Sequence, residues 1–307
     1  VEYCIFVEPQ LGMTWDQLLA FAQATERLGF HGFFRSDHYT QPDRSFSGAP
    51  ALSDAWTTLA ALAMATERVR LGTLVTPVTF RHPGVLAVQV ANVDAMSNGR
   101  VELGLGAGWN APEHEAYGIP FPAKRFGLLE ESLAIVTGLW TTPPDETFSF
   151  EGEHYRLDRA PGGQRPVGDD VPIIIGGGGP TRTPALAAAY AREFNTGFVA
   201  DDVVAERFAR VADATQVAGR DPESLRLSVA LTATVGATEA SAKARADAQG
   251  RDPHHERANG LYGTPADVAE RFAGLRALGA ERVYLQVLDV TDLEQLDLLA
   301  EAVRLAG

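Results

Sequence analysis

Cysteine occurs once among the 307 residues, at Cys4, so the chain has no internal disulfide, and no Cys/His set has the spacing of a structural zinc site. The apolar neighbours of Cys4 place it in a buried strand, where a thiol is inert. Cations are also scarce: 26 Lys plus Arg stand against 40 Asp plus Glu, a formal charge of -14. That balance opposes general affinity for nucleic-acid phosphates or anionic lipid. No apolar run is long enough to span a bilayer. No basic segment with a following apolar stretch opens the chain, which passes from Val1 almost at once into Tyr3-Cys4-Ile5-Phe6-Val7. A cytoplasmic protein with neither nucleic-acid nor membrane partners is expected. His82, His114, His154, His254 and His255 show no HxH or HExxH spacing, so no metal centre is expected.

What is present is a core-forming composition, 45% hydrophobic and 21% charged. The length suits two average domains or a single α/β barrel. Short apolar, β-branched runs recur, each followed by a segment with helical spacing of its apolar residues. They predict strands at Tyr3 to Val7, Gly32 to Ser36, Arg70 to Val75, Val101 to Gly106, Pro172 to Ile175, Phe194 to Thr196, Arg226 to Thr234 and Arg282 to Val287. Eight such units favour a closed (β/α)8 TIM barrel over an open doubly wound sheet, as one domain across 1–307.

Helix boundaries are written in capping residues. A Thr14-x-x-Gln17 box and Gly29 bracket the first helix, Pro83 and Pro265 suit first helical turns, and Thr291-x-x-Glu294 reads as a box for the last. Thr141 to Val171, about 141–171, breaks the rhythm as an inserted hairpin and loop before the fifth strand. Gly250 to Gly263 is a second irregular stretch.

In a barrel the chemistry sits at the carboxyl ends of the strands. Four such ends stand out: Arg35 to Tyr39, Thr73 to Pro77, Gly104 to Asn110, and Gly176 to Arg182. The tetraglycine Gly176-Gly177-Gly178-Gly179 removes every Cβ where the chain turns into a helix, so backbone N–H groups can approach a phosphate, with Thr181, Arg182 or Thr183 adding donors. The alternative is a tight turn with no ligand. Gly104 to Gly108 alternates as G-x-G-x-G, without Rossmann spacing, and Asn110-Ala111-Pro112 reads as a loop, so small residues there suit a flat ring lying against the backbone. Asp37-His38 pairs a carboxylate with the side chain best suited to proton transfer near neutrality, the two facing opposite ways on extended chain. A helix cap beside a surface histidine is the alternative.

Together these segments carry a resemblance. Ser36-Asp37-His38-Tyr39, Leu71 to Pro77, Ser97 to Trp109, Phe150-Glu151-Gly152 with Tyr155, Ile175 to Gly179, and Gly263 to Val268 fall in the order found in the luciferase-like (β/α)8 superfamily, within it the coenzyme F420-dependent oxidoreductases. The chain resembles that group from its first strand to its last helix.

The resemblance implies a deazaflavin ring in the barrel mouth beside a third-strand bulge with a non-prolyl cis peptide, here at Thr73-Leu74. It implies cofactor contacts from Asp37, Thr73, Leu74, Thr76, Ala107 and Gly108. Gly176, Gly177, Gly178, Gly179, Thr181 and Arg182 would stand at the phosphate end, and His38 near the reactive ring carbon. Family members are often homodimers. Sugar-phosphate dehydrogenases of the group carry a proton-handling glutamate where this chain has Trp109, and an amide where it has Pro112. That departure speaks against sugar-phosphate oxidation and leaves Trp109 either as the wall of an apolar substrate pocket or as packing under a loop. Arg35, Arg44, Arg81 and Arg182 would make a basic lip for the cofactor's acidic tail.

The expected activity is hydride transfer between F420 and a small or medium organic molecule, more in the sense of reduction, with His38 as acid and Trp109 beside it. An FMN-dependent two-component monooxygenase and a non-catalytic flavin-like binder are the alternatives.

Overall fold

Eight parallel strands close on themselves. In the computed structural model, which describes residues 1–41, 53–163, 165–167 and 171–307, they are β1 (Glu2–Val7), β2 (Gly32–Arg35), β3 (Arg70–Thr73), β4 (Val101–Gly106), β5 (Ile173–Gly176), β6 (Glu193–Gly197), β7 (Arg226–Val235) and β8 (Arg282–Val287). Each pairs with its sequence neighbour, and β8 returns to β1 with Glu2 opposite Arg282 and Val7 opposite Val287. The expected TIM barrel is therefore the observed one.

Alternation along the strands sorts side chains into two shells. Tyr3, Ile5 and Val7 face the surrounding helices in the main apolar core. Cys4, Phe6, Phe34, Ile174, Ala230 and Tyr284 fill the interior, with Leu74 above them. Phe34 fits because Gly72 has no side chain: a Cβ there would lie 2.5 Å from the Phe34 ring and 2.5 Å from the Glu102 carbonyl oxygen. The amino-terminal end of the barrel is plugged by charge. The buried Arg282 reaches Glu102 at 2.5 Å, Glu193 at 2.8 Å, Glu2 at 2.6 Å and the Tyr284 hydroxyl at 3.1 Å.

Helix α1 (Trp15–Leu28) carries the expected Thr14/Gln17 capping box and ends at the left-handed Gly29. Helices α2 (Ala55–Ala65) and α3 (Pro83–Ser97) follow, the latter with Pro83 in its first turn. Four expectations are corrected. The third strand stops at Thr73 and resumes only at Thr76–Pro77. The cis peptide lies one bond later than expected, at Leu74-Val75 rather than Thr73-Leu74. Thr291 does not cap the last helix, which spans Glu294–Ala306 behind Leu293, because its amide and hydroxyl both bond Asp289. Asn110-Ala111-Pro112 is no loop: helix α4 (Ala111–Ala116) begins there, with Pro112 tolerated where helical amides have no partner.

The insertion forms an antiparallel hairpin, Thr147–Glu151 against Arg156–Pro161, after helix α5 (Arg125–Thr141). Within Gly250 to Gly263 lie a short helix, Pro253–Asn259, and a strand, Leu261–Gly263, paired with the end of β7. Among the described residues no helix is long and apolar enough to cross a membrane.

Candidate active site

A cavity of about 930 Å³ opens at the carboxyl ends of the strands. All four rim segments singled out in the sequence reach it. His38 comes from the end of β2, Leu74, Val75 and Pro77 from the third strand and its extension, Gly106 to Asn110 from β4, and Gly176 to Gly179 from β5. Its volume lies within the usual range for small-molecule sites, and its walls include the apolar Phe6, Leu11, Leu74, Trp109, Phe126, Phe198 and Leu288.

His38 and Asp37 point opposite ways, as extended chain demands. His38 lines the cavity, whereas Asp37 is buried behind it, accepting from Thr76 Oγ1 at 2.8 Å and Arg81 Nη1 at 2.5 Å. Thr73 and Thr76 are likewise fully buried and linked to each other at 3.2 Å. These three support the bulge from below, while Leu74 faces the cavity.

His38 Nδ1 lies 2.8 Å from Glu113 Oε2, on the first turn of α4. Glu113 is fully buried and also accepts the backbone amides of Tyr39 and, at 2.9 Å, Thr40. Burial disfavours the charged imidazole, but the hydrogen bond and charge of Glu113 outweigh it and raise the His38 pKa above its ordinary value. Burial likewise opposes ionisation of Glu113, yet its His38 bond and its two backbone donors hold its pKa below the usual carboxylate value. With Nδ1 committed to Glu113, Nε2 is the remaining ring nitrogen of His38. Trp109 meets the His38 ring edge-on, centroids 5.5 Å apart, and is 63% exposed, so it walls the pocket and does not pack under a loop.

The glycine side is the basic one. Gly177 donates its amide to Asn195 at 3.2 Å, while the amides of Gly178 and Gly179 have no acceptor among the described residues. Arg207, from helix α7 (Asp201–Val217), lies across Gly178: a Cβ there would sit 2.5 Å from its Nη2. Its Nη1 donates to Thr196 Oγ1 at 2.8 Å, and no carboxylate pairs with it among the described residues. Thr183 also lines the cavity. A guanidinium without a carboxylate partner thus stands beside two amides without acceptors, just before α6 (Arg182–Tyr190), a chemistry complementary to an anion.

Thr181 precedes α6 without a side-chain cap and does not line the cavity. Arg182 turns away to Glu130 at 2.6 Å, into a separate surface recess. The basic lip is corrected too. Arg35 is fully buried, donating to Thr58 and Ser53, and burial lowers its pKa to about 10. Arg81 is held between Asp37 and Asp54, and Arg44 lies outside the described residues. The cavity's arginines are instead Arg125, Arg207 and Arg251, the last paired with Glu256 at 2.7 Å. Among the described residues no His/Cys/Asp/Glu group fits a metal ion.

A closed (β/α)8 barrel whose mouth holds a cavity between a histidine and a glycine loop defines the class: a TIM-barrel protein with a small-molecule-sized cleft at the carboxyl ends of its strands. The chain belongs to the luciferase-like monooxygenase family, whose profile matches residues 3–260. It is 42% identical over 184 residues to an F420-dependent glucose-6-phosphate dehydrogenase of Nakamurella multipartita, covering 59% of this chain and 52% of the relative. The chain thus spans about half the length of the curated relatives it matches. Among solved structures, an F420-dependent secondary alcohol dehydrogenase in complex with an F420-acetone adduct superposes with a TM-score of 0.85 at 19% identity, over 100% of this chain and 99% of the other. The FMN-bound oxygenating constituent of 3,6-diketocamphane monooxygenase from Pseudomonas putida gives 0.77 at 18%, over 98% and 96%. These two share the fold.

Proposed function

We propose that the protein is an F420-dependent oxidoreductase that moves a hydride between the deazaflavin and a small organic molecule, in the sense of reduction. The observation that carries the reading is the polarity of the cavity. Unpaired Arg207 and free glycine amides stand at β5 and β6, His38 stands at β2, and the small residues Gly106, Ala107 and Gly108 leave a flat passage between them. The curated F420-dependent relative at 42% identity supports the choice of cofactor.

The residues present fit such a group. A Cβ at Gly178 would fall 2.5 Å from Arg207 Nη2, so only glycine lets that guanidinium lie against the loop. Gly178, Gly179, Thr183 and Arg207 would hold the phosphate; Leu74, Val75, Ala107 and Gly108 would flank the ring. When bound, F420 supplies two-electron hydride chemistry. The chain supplies the rest. Trp109, Phe198 and Leu74 would offer apolar surface to the ligand. His38, whose charged form Glu113 favours, would offer a proton from Nε2 to the oxygen or nitrogen that gains charge as a carbonyl or imine is reduced.

Fluorescence titration with F420 and with FMN tests the reading. Saturable quenching with F420 and a weaker response to FMN are expected; tighter binding of FMN would transfer the protein to the flavin-dependent monooxygenases.

A further inference from the structure

On the side of the barrel opposite the glycine loop, hydrogen bonds run in one direction. Glu8, directly after β1, lines the cavity and accepts Gln286 Nε2 at 2.8 Å through Oε1 and Gln10 Nε2 through Oε2. Gln286 in turn accepts the Thr232 hydroxyl at 2.8 Å, and Gln10 accepts the Ser36 hydroxyl at 2.7 Å. Each amide is thereby fixed in orientation, with the NH2 groups of both glutamines turned toward one carboxylate. Two inward donors leave that carboxylate with unused acceptor capacity.

No cation pairs with Glu8 among the described residues. His38, the nearest candidate, is spoken for by Glu113. Asn110, 2% exposed, donates its amide toward Glu113 at 3.4 Å and so reinforces the carboxylate that holds His38. The cavity therefore carries Arg207, with no carboxylate partner among the described residues, at the glycine side and the Glu8 carboxylate, with no ion-pair partner among them, at β1. A ligand that supplies a further donor to the half-buried Glu8 carboxylate uses that spare capacity and gains a charge-assisted hydrogen bond.

We propose that Glu8 is a specificity-determining residue and that the substrate presents hydrogen-bond donors, a hydroxyl or an amine, to Glu8, while carboxylated and phosphorylated substrates are rejected. The inference rests on the reading of the glycine side as the cofactor's phosphate site, since that reading commits Arg207 elsewhere. Glucose 6-phosphate is then disfavoured, because its dianion would have to share the cavity with the Glu8 carboxylate while Arg207 holds the cofactor's phosphate.

Three probes of matched size separate the charges: cyclohexylamine, cyclohexanol and cyclohexanecarboxylate, titrated calorimetrically into the F420-loaded protein. The amine and the alcohol are expected to bind at least about tenfold more tightly than the carboxylate. Glu8→Gln is expected to abolish the preference for the amine. Equal or tighter binding of the carboxylate by the native protein would overturn the proposal, as would measurable binding of none of the three at tens of millimolar. Should Glu8→Gln fail to fold, the ranking by the native protein still decides. A native protein that selects the amine without binding F420 would refute the cofactor and leave Glu8 standing; one that binds F420 without selecting would refute Glu8 alone.

Discussion

His38 and Glu113 form a buried pair, Nδ1 to Oε2 at 2.8 Å, in which the carboxylate is itself held by the backbone amides of Tyr39 and Thr40. The loop after β2 and the first turn of α4 are thus locked together through the acid's partner. This arrangement fixes which ring nitrogen is free and favours the charged form of the ring, two properties that suit a proton donor.

Glu113→Gln removes the charge that raises the His38 pKa. The alkaline limb of the pH–rate profile should move to lower pH, with cofactor affinity unchanged; an unmoved limb would detach Glu113 from His38. The pair also makes stability depend on pH. The part due to His38 is complete below its unfolded pKa and is lost as pH rises through its raised folded value. The part due to Glu113 is present above its unfolded pKa and is lost as pH falls through its lowered folded value. Urea melts across pH should show both edges in the native protein and neither in a Glu113→Gln, His38→Ala double variant.

His38→Ala should slow turnover by roughly a hundredfold or more while leaving F420 titration curves in place. A variant that turns over as fast as the native protein would remove His38 from the chemistry.

Arg207→Met should weaken F420 by about 1.5–3 kcal/mol, roughly ten- to a hundredfold, since a charge-assisted contact to the phosphate is lost. Arg182→Ala, which removes an exposed pair with Glu130 and a loose contact with the Phe126 ring, should change affinity by less than about fivefold. Reversal of that order would relocate the anion site.

Arg282→Met leaves Glu102 and Glu193 buried without their shared cation. Denaturant titration should register a loss of about 3–5 kcal/mol, with rescue only when both glutamates are also replaced by glutamine.

The strands were legible because each carries an apolar, β-branched run bounded by turn residues, and β4 and β8 match their predicted limits residue for residue. The third strand misled because its run of apolar and β-branched residues hides a backbone break at Leu74-Val75. Glu113 was hidden by Pro112, which suggests a loop. Yet Asn110-x-x-Glu113 has the spacing of a helix start, a signal that outranks proline in a first turn. Glu8 is reachable by the end-of-strand rule once it is carried to β1. Arg207 has no such mark: it sits two turns into an ordinary amphipathic helix, and only the closure of the barrel brings it over Gly178. Arg35 and Arg81 illustrate the opposite error, cations near strand ends that the chain spends on its own carboxylates and carbonyls.

The most direct test of the central claim is a crystal structure of the protein soaked with F420. The account expects the phosphate against Gly178, Gly179 and Arg207 and the tricyclic ring between Leu74 and the Ala107-Gly108 backbone, with His38 at its edge. A phosphate seated on Arg182 in the outer recess, or a ring outside the barrel mouth, would contradict it.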